Sequence, residues 1–226
     1  MLLAAGNGSR VGREINKVFL PLAGRRVLTW SLDSTRRLRN LVSTVLVVQD
    51  HDLVHVREVL RREGDGRAVE LVQGGSTRHE SELHAMRSLA PRIHDGTIDV
   101  VVIHDAARPL AGPTLFTEVV DTAALLGGAL PVLSKQGIVF SDGTNVDGQL
   151  MTVQTPQAFH ARPLLEAYEQ AAREGFVGSD TASCVERFSE LRVHGVAGDA
   201  SNIKITFPED LFLAERLLER SGWRLR

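Results

Sequence analysis

The loop Gly6-Asn7-Gly8-Ser9-Arg10 follows a short apolar run, Leu2-Leu3-Ala4-Ala5, and Lys17 stands seven residues beyond Arg10. Glycines let backbone N–H groups approach phosphate oxygens with no Cβ in the way, and Arg10 and Lys17 bring the positive charge that a triphosphate needs. This is the chemistry of a nucleotide site. The spacing is G-x-G-x-x-x-G, which is neither the dinucleotide fingerprint nor the P-loop, so hydride transfer and P-loop hydrolysis lose support. No G-x-S-x-G segment occurs to suggest a hydrolase nucleophile.

Further polar segments fall where strands should end. They are Gly74-Gly75-Ser76-Thr77-Arg78 followed by Ser81, His104-Asp105-Ala106-Ala107-Arg108-Pro109, Gln154-Thr155-Pro156-Gln157, Ser179-Asp180 and Asn202-Ile203-Lys204-Ile205-Thr206. The elements that must position them alternate along the chain. Apolar runs predict strands at 2–5, 43–49, 69–72, 99–104, 128–133 and 191–196, and helical spacing predicts helices at 27–38, 52–62, 77–89, 114–126, 162–174, 180–187 and 208–220. Runs such as Thr44-Val45-Leu46-Val47-Val48 lack polar alternation, as expected of strands covered by helices on both faces. The expected fold is α/β, a Rossmann-like doubly wound and mostly parallel sheet, in a single domain over 1–226. Ligands bind such sheets beyond the carboxyl ends of the strands, where the polar segments lie. The stretch 134–152 breaks the rhythm with Ser141-Asp142-Gly143-Thr144-Asn145 and reads as a projecting β-arm.

The chain has 226 residues, 43% of them hydrophobic and 24% charged, which is enough for a substantial core. Its net charge of −2 argues against nucleic acid as a partner. One cysteine, Cys184, and no apolar run of membrane-spanning length point to the cytoplasm, with no membrane partner. Met1 stands so close to Gly6 that the first strand is short; either it is trimmed, or the true start lies upstream. His79-Glu80 followed by His84 misses zinc-helix spacing by one residue and reads as a solvated face, while Cys184 reads as a buried or half-buried helix residue.

Taken in order, A-A-G-x-G-x-R, the lysine, G-G-x-x-R, H-D-A-A-R-P, Q-T-P-Q and N-I-K-I-T closely resemble the 2-C-methyl-D-erythritol 4-phosphate cytidylyltransferases and their relatives that load CTP onto alditol phosphates. The resemblance implies transfer of CMP from CTP to a small polyol phosphate, with Mg²⁺ as cofactor, pyrophosphate as co-product and a β-arm that dimerises. It implies catalytic roles for Arg10, Lys17 and Lys204. Ala4, Ala5, Gly6, Asn7, Gly8, Ser9, Gly75, Ser76, Ser81 and Ala106 would hold the nucleotide. Asp105, Arg108, Thr155 and Ser179 would hold the acceptor, and Lys135, which departs from the family pattern, is expected to join them as a compensating charge.

The chain also departs from that pattern. Asn16 and Val18 flank Lys17 where the family has proline and then glutamine or alanine. Ser134 and Lys135 stand at the family's Asp-Thr positions, and Asp147 falls about where the family presents an arginine to the acceptor phosphate. A carboxylate repels phosphate, whereas Lys135 brings a charge that compensates. Methylerythritol phosphate is the leading acceptor, with ribitol phosphate or a phosphonate as the alternative; a weakly active nucleotide-binding paralogue is the alternative from outside the active enzymes.

Overall fold

The computed structural model describes residues 1–6, 16–35, 37–64, 66, 68–135 and 150–221. Its main sheet contains β1 (Leu2–Leu3), β4 (Val45–Val48), β5 (Glu70–Gln73), β6 (Val100–Asp105), β7 (Gly128–Ser134), β8 (Met151–Val153), β9 (Gln157–His160) and β10 (Val193–Ala197). The strand order is β10-β7-β9-β6-β1-β4-β5, with β8 paired to β7. β6, β1, β4 and β5 run parallel, as do β7 and β10, while β9 lies antiparallel between β6 and β7. The sheet is thus mostly parallel, as expected. Chain order reverses beside β1, the switch point of the sheet, beyond whose carboxyl end a crevice lies.

Successive side chains of a strand face opposite ways, and β4 shows the result. Val45 and Val47 pack with α3 (Arg78–His94), α5 (Ala161–Glu174) and α6 (Thr181–Phe188) on one face. Leu46 and Val48 pack with α1 (Val27–Thr35) and α2 (Leu53–Glu63) on the other. All of β4's residues are buried, so its unbroken apolar run is what a two-sided strand demands. Beyond this core, α4 (Pro113–Leu126) covers β7, β9 and β10. The last helix, α7 (Pro208–Ser221), packs on β2 (Pro21–Leu22) and the start of α1.

Several elements differ from expectation. β9 is a strand of four residues between Pro156 and a helix, too short for its periodicity to register. The hairpin of β2 with β3 (Arg25–Arg26) was also not predicted; it turns through Ala23 and Gly24, with φ of 46° and 81°. Helix α3 runs through Pro91 to His94 instead of stopping at Leu89, held by the burial of Ile93 in the core. The base of the expected arm is present as β7 paired with β8; residues 136–149, including Asp147, lie outside the described residues.

Candidate active site

One wall of the crevice is made of backbone. The chain leaving β1 through Ala4, Ala5 and Gly6 lies against the loop leaving β5, closely enough that a Cβ on Gly74 would stand 2.4 Å from the Ala5 Cβ. Any larger residue at 74 would push the two loops apart. Gln49, just past β4, joins them: its Nε2 donates to the carbonyls of Ala5 and Gly75, both at 3.0 Å. Ser81 Oγ accepts from the Gly75 N–H at 3.0 Å and donates to the Thr77 carbonyl at 2.9 Å. Thr77 caps α3 by accepting from the Glu80 N–H, while the Glu80 carboxylate accepts from the backbone and hydroxyl of Ser76. Ser76, Thr77 and Arg78, at the amino end of α3, line the crevice, where the helix dipole favours an anion.

Lys17 enters from the same side on a single 3₁₀ turn, Lys17–Phe19. Val18 and Phe19 are buried beneath it, and Asn16 fixes its start. The Asn16 amide donates to the Ala4 carbonyl at 2.7 Å and to Asp52 Oδ2 at 2.9 Å, and its oxygen accepts from the Val18 N–H. Asn16, the departure from the family's proline, thus ties the lysine turn directly to the end of β1.

The opposite wall is made of charge. Asp105 ends β6; its Oδ2 accepts from Lys204 Nζ at 2.6 Å and its Oδ1 from Arg78 Nη2 at 3.4 Å. Burial would raise the Asp105 pKa, yet Lys204, Arg78 and Arg108 together hold it well below the usual carboxylate range. Behind it, the Asp105 N–H donates to Thr155 Oγ1 at 3.0 Å, and Thr155 Oγ1 lies 3.1 Å from His104 Nδ1. His104 Nε2 lies 3.1 Å from the Arg108 carbonyl. Desolvation lowers the His104 pKa to about 4, so the ring is neutral, donating from Nε2 and accepting at Nδ1. Arg108 donates to the Asn202 carbonyl at 2.8 Å, and Asn202 donates to the Thr155 carbonyl at 2.9 Å. These bonds carry the segment that delivers Lys204.

Between the walls lies a cavity of about 430 Å³. Its described lining contains the cations Lys17, Arg78 and Lys204 and a single carboxylate, Asp105. Such a balance suits an anionic ligand larger than one phosphate.

A family model described as 2-C-methyl-D-erythritol 4-phosphate cytidylyltransferase matches residues 1–220. Proteins of that name from Geobacillus kaustophilus and Geotalea uraniireducens are 34% and 37% identical, over 96% of this chain in each case and 95% and 94% of theirs. The chain belongs to this family. Crystal structures agree: 4-diphosphocytidyl-2C-methyl-D-erythritol synthase from Anaerococcus prevotii superposes with a TM-score of 0.81 at 27% identity, covering 97% of this chain and 94% of that one. The 2-C-methyl-D-erythritol 4-phosphate cytidylyltransferase from Thermus thermophilus gives 0.74, also at 27% identity, covering 96% and 97%. This protein is therefore an enzyme, a CTP-dependent cytidylyltransferase.

Within this cytidylyltransferase, the sequence-predicted residues separate into those on the cavity wall and those behind it. Ala4, Ala5, Gly6, Lys17, Gly75, Ser76, Ser81, Asp105 and Lys204 line the cavity. Ala106 does not: its N–H donates to the Leu3 carbonyl and its own carbonyl accepts from Ser31, and Ala107 takes the wall position instead. Thr155 and Arg108 stand behind the wall as supports. Ser179 and Lys135 are exposed and away from the cavity lining. Asn7, Gly8, Ser9 and Arg10 lie outside the described residues.

His79 corrects one expectation. It is buried, stacked on Tyr168 at 4.8 Å between ring centroids, because it falls on the inward face of α3. Cys184 is buried as expected, and burial pushes its thiol up to about 12, leaving it inert. Arg78 and Gln49 were missed as site residues. The G-G-x-x-R spacing was the available signal for Arg78; Gln49 had none, since its role is a contact between two loops distant in sequence.

Proposed function

We propose that this cytidylyltransferase takes 2-C-methyl-D-erythritol 4-phosphate as its acceptor and works as a cytoplasmic homodimer with Mg²⁺. An oxygen of the acceptor's phosphate attacks the α-phosphorus of CTP, a new P–O bond forms, and the bond to the β-phosphate oxygen breaks as pyrophosphate leaves in line. The products are the CDP-alditol and pyrophosphate. Nothing is oxidised or reduced, so the protein's task is to align two anions and stabilise the charge that builds between them.

The observation that carries this reading is the short Asp105–Lys204 pair facing Lys17 and the β1 loop across one cavity. Backbone N–H groups and Lys17 hold the triphosphate. Lys204 exchanges its bond to Asp105 for phosphate oxygens, and Asp105 then orients the acceptor's hydroxyls. Mg²⁺ fits this site as a companion of the nucleotide. No cluster of three His, Cys, Asp or Glu side chains could hold a metal among the described residues, and Asp105 is the described lining's sole carboxylate available to its coordination sphere. It would neutralise phosphate charge that the cationic side chains leave uncovered.

The arm supports both the dimer and a second reading of the acceptor. Leu150, Met151 and Val153, at and beside β8, are 38%, 40% and 42% exposed, an apolar surface suited to a second copy. The chain uses only three lysines among its 26 basic residues, and two of them line the cavity. The third, Lys135, stands at the base of the arm and away from this chain's own cavity lining, so it would meet an acceptor phosphate only across the dimer. No helix among the described residues is long and apolar enough to cross a membrane.

Pyrophosphate release from CTP, assayed with methylerythritol phosphate and with ribitol phosphate, tests the proposal. Release with methylerythritol phosphate, abolished by EDTA, is expected. Release with ribitol phosphate alone would transfer the assignment to that acceptor, and CTP binding without turnover would overturn it.

A further inference from the structure

We infer that Glu82 is a positioning residue for this transfer, holding Arg78 on the cavity wall so that Asp105 keeps its short bond for Lys204. The inference rests on the function proposed above. Glu82 is 0% exposed and receives three donors: Arg78 Nη1 at 2.5 Å, Tyr168 Oη at 2.6 Å and Thr181 Oγ1 at 2.7 Å. Arg78 is thereby shared between two carboxylates, close to Glu82 and at 3.4 Å from Asp105. Asp105 gives its shorter contact, 2.6 Å, to Lys204.

Stability alone gives little reason for this arrangement. A buried ion pair roughly breaks even against apolar side chains of the same volume, since desolvating both charges offsets their attraction. Its placement is more informative, because one end of the pair is a wall residue of the catalytic cavity. The Tyr168 ring that aims its hydroxyl at Glu82 is itself seated on His79, whose ring nitrogens have no hydrogen-bond partner. Burial and the Arg78 charge both lower the His79 pKa, so the plate beneath Tyr168 is neutral. Burial raises the Glu82 pKa above the ordinary value, with Arg78, Tyr168 and Thr181 opposing only part of the rise, while the three donors on its two oxygens are the geometry of a carboxylate.

Without the Glu82 charge, Arg78 keeps Asp105 as the carboxylate within ion-pair distance, beside a 3.4 Å bond to Thr181 Oγ1. It closes the 3.4 Å gap to Asp105 and competes with Lys204 for the same carboxylate. Glu82→Gln preserves side-chain volume and removes that charge. Its expected effect is a fall of about tenfold in kcat/KM for the acceptor, with the KM for CTP within about twofold of wild type. Tyr168→Phe combined with Thr181→Val leaves the ion pair in place, removing from Arg78 itself just the 3.4 Å bond to Thr181, and should keep kinetics within about threefold of wild type, even with a lower Tm.

A second readout needs no turnover. The chain's lysines are Lys17, Lys135 and Lys204, so amine acylation followed by mass spectrometry resolves each one. Glu82→Gln should raise labelling of Lys204 relative to exposed Lys135 by about fivefold, as release from a carboxylate frees the amine. An unchanged ratio would overturn the inference, as would loss of acceptor use in the Tyr168/Thr181 variant equal to that in Glu82→Gln. Should Glu82→Gln not fold, the Tyr168/Thr181 variant still decides: acceptor kcat/KM within about threefold of wild type is expected, and a fall of about tenfold or more would overturn the inference. If wild type releases no pyrophosphate with either acceptor, the proposed function fails, while the labelling ratio still judges Glu82.

Discussion

The two walls of the crevice solve the same electrostatic problem by different means. Around β1 and β5 the wall is mostly backbone, with Gln49 and Asn16 as amide braces between loops. Around β6 it is charged side chains, supported by a buried network through Thr155, His104, Arg108 and Asn202. Backbone donors cannot be deleted by mutation or neutralised by protonation, so the first wall is sensitive to shape. The second is sensitive to charge, and its charged groups also carry packing.

That contrast is testable first through the largest effect. Lys17→Ala should lower kcat by about 100-fold with Tm nearly unchanged, as for loss of a donor to transition-state charge. Asp105→Asn should lower kcat/KM by a similar factor and also lower Tm, because Lys204 and Arg78 lose the carboxylate between them. Paired kinetic and thermal measurements check this, and a Lys17 variant that lost stability in proportion to rate would erase the distinction. A smaller effect is expected at Gln49. Gln49→Ala should raise the KM for CTP by about tenfold while the acceptor KM stays put, because one side chain spans the β1 and β5 loops proposed to hold the nucleotide. Equal changes in both KM values would show that the walls are mechanically one.

The smallest effect concerns pH and the charged wall's support. Burial lowers the His104 pKa to about 4, against 6.5 in an unfolded chain. Between these values the unfolded state binds a proton that the folded state refuses, so stability is fully present above pH 6.5 and falls as pH drops toward 4. Urea unfolding should show a loss of about 1 kcal/mol from this group between pH 7.5 and 5.5. His79, also lowered by burial, acts in the same direction. His104→Gln should flatten the slope, and an undiminished slope would assign it to other groups.

Much of this molecule was legible because its signals are local. The buried parallel strands announced themselves in runs such as Val45–Val48, since a strand covered on both faces has no polar positions to interrupt it. Lys17 stands out by its charge near the glycine loop, and Asp105 and Lys204 by the family resemblance; the structure places all three on the cavity wall, while Asn7, Gly8, Ser9 and Arg10 lie outside the described residues. Helix α3 was found but stopped too early, because Pro91 is a local breaker and the burial of Ile93 that outweighs it is a tertiary fact.

The sequence by itself determined the alternation of strands and helices, the strand ends that carry chemistry, and the residue types able to bind phosphate. Tertiary structure decided which of those residues share a cavity, because that depends on strand order. β9 inserts between β6 and β7, and its preceding loop brings Thr155 beneath Asp105. Only the packing of α3 on α5 and α6 could bring Tyr168 and Thr181 to Glu82 and turn His79 from an apparent surface residue into a buried plate. Those contacts join positions 86 and 99 residues apart. Local propensity acts over a few neighbours, so no local pattern could encode them.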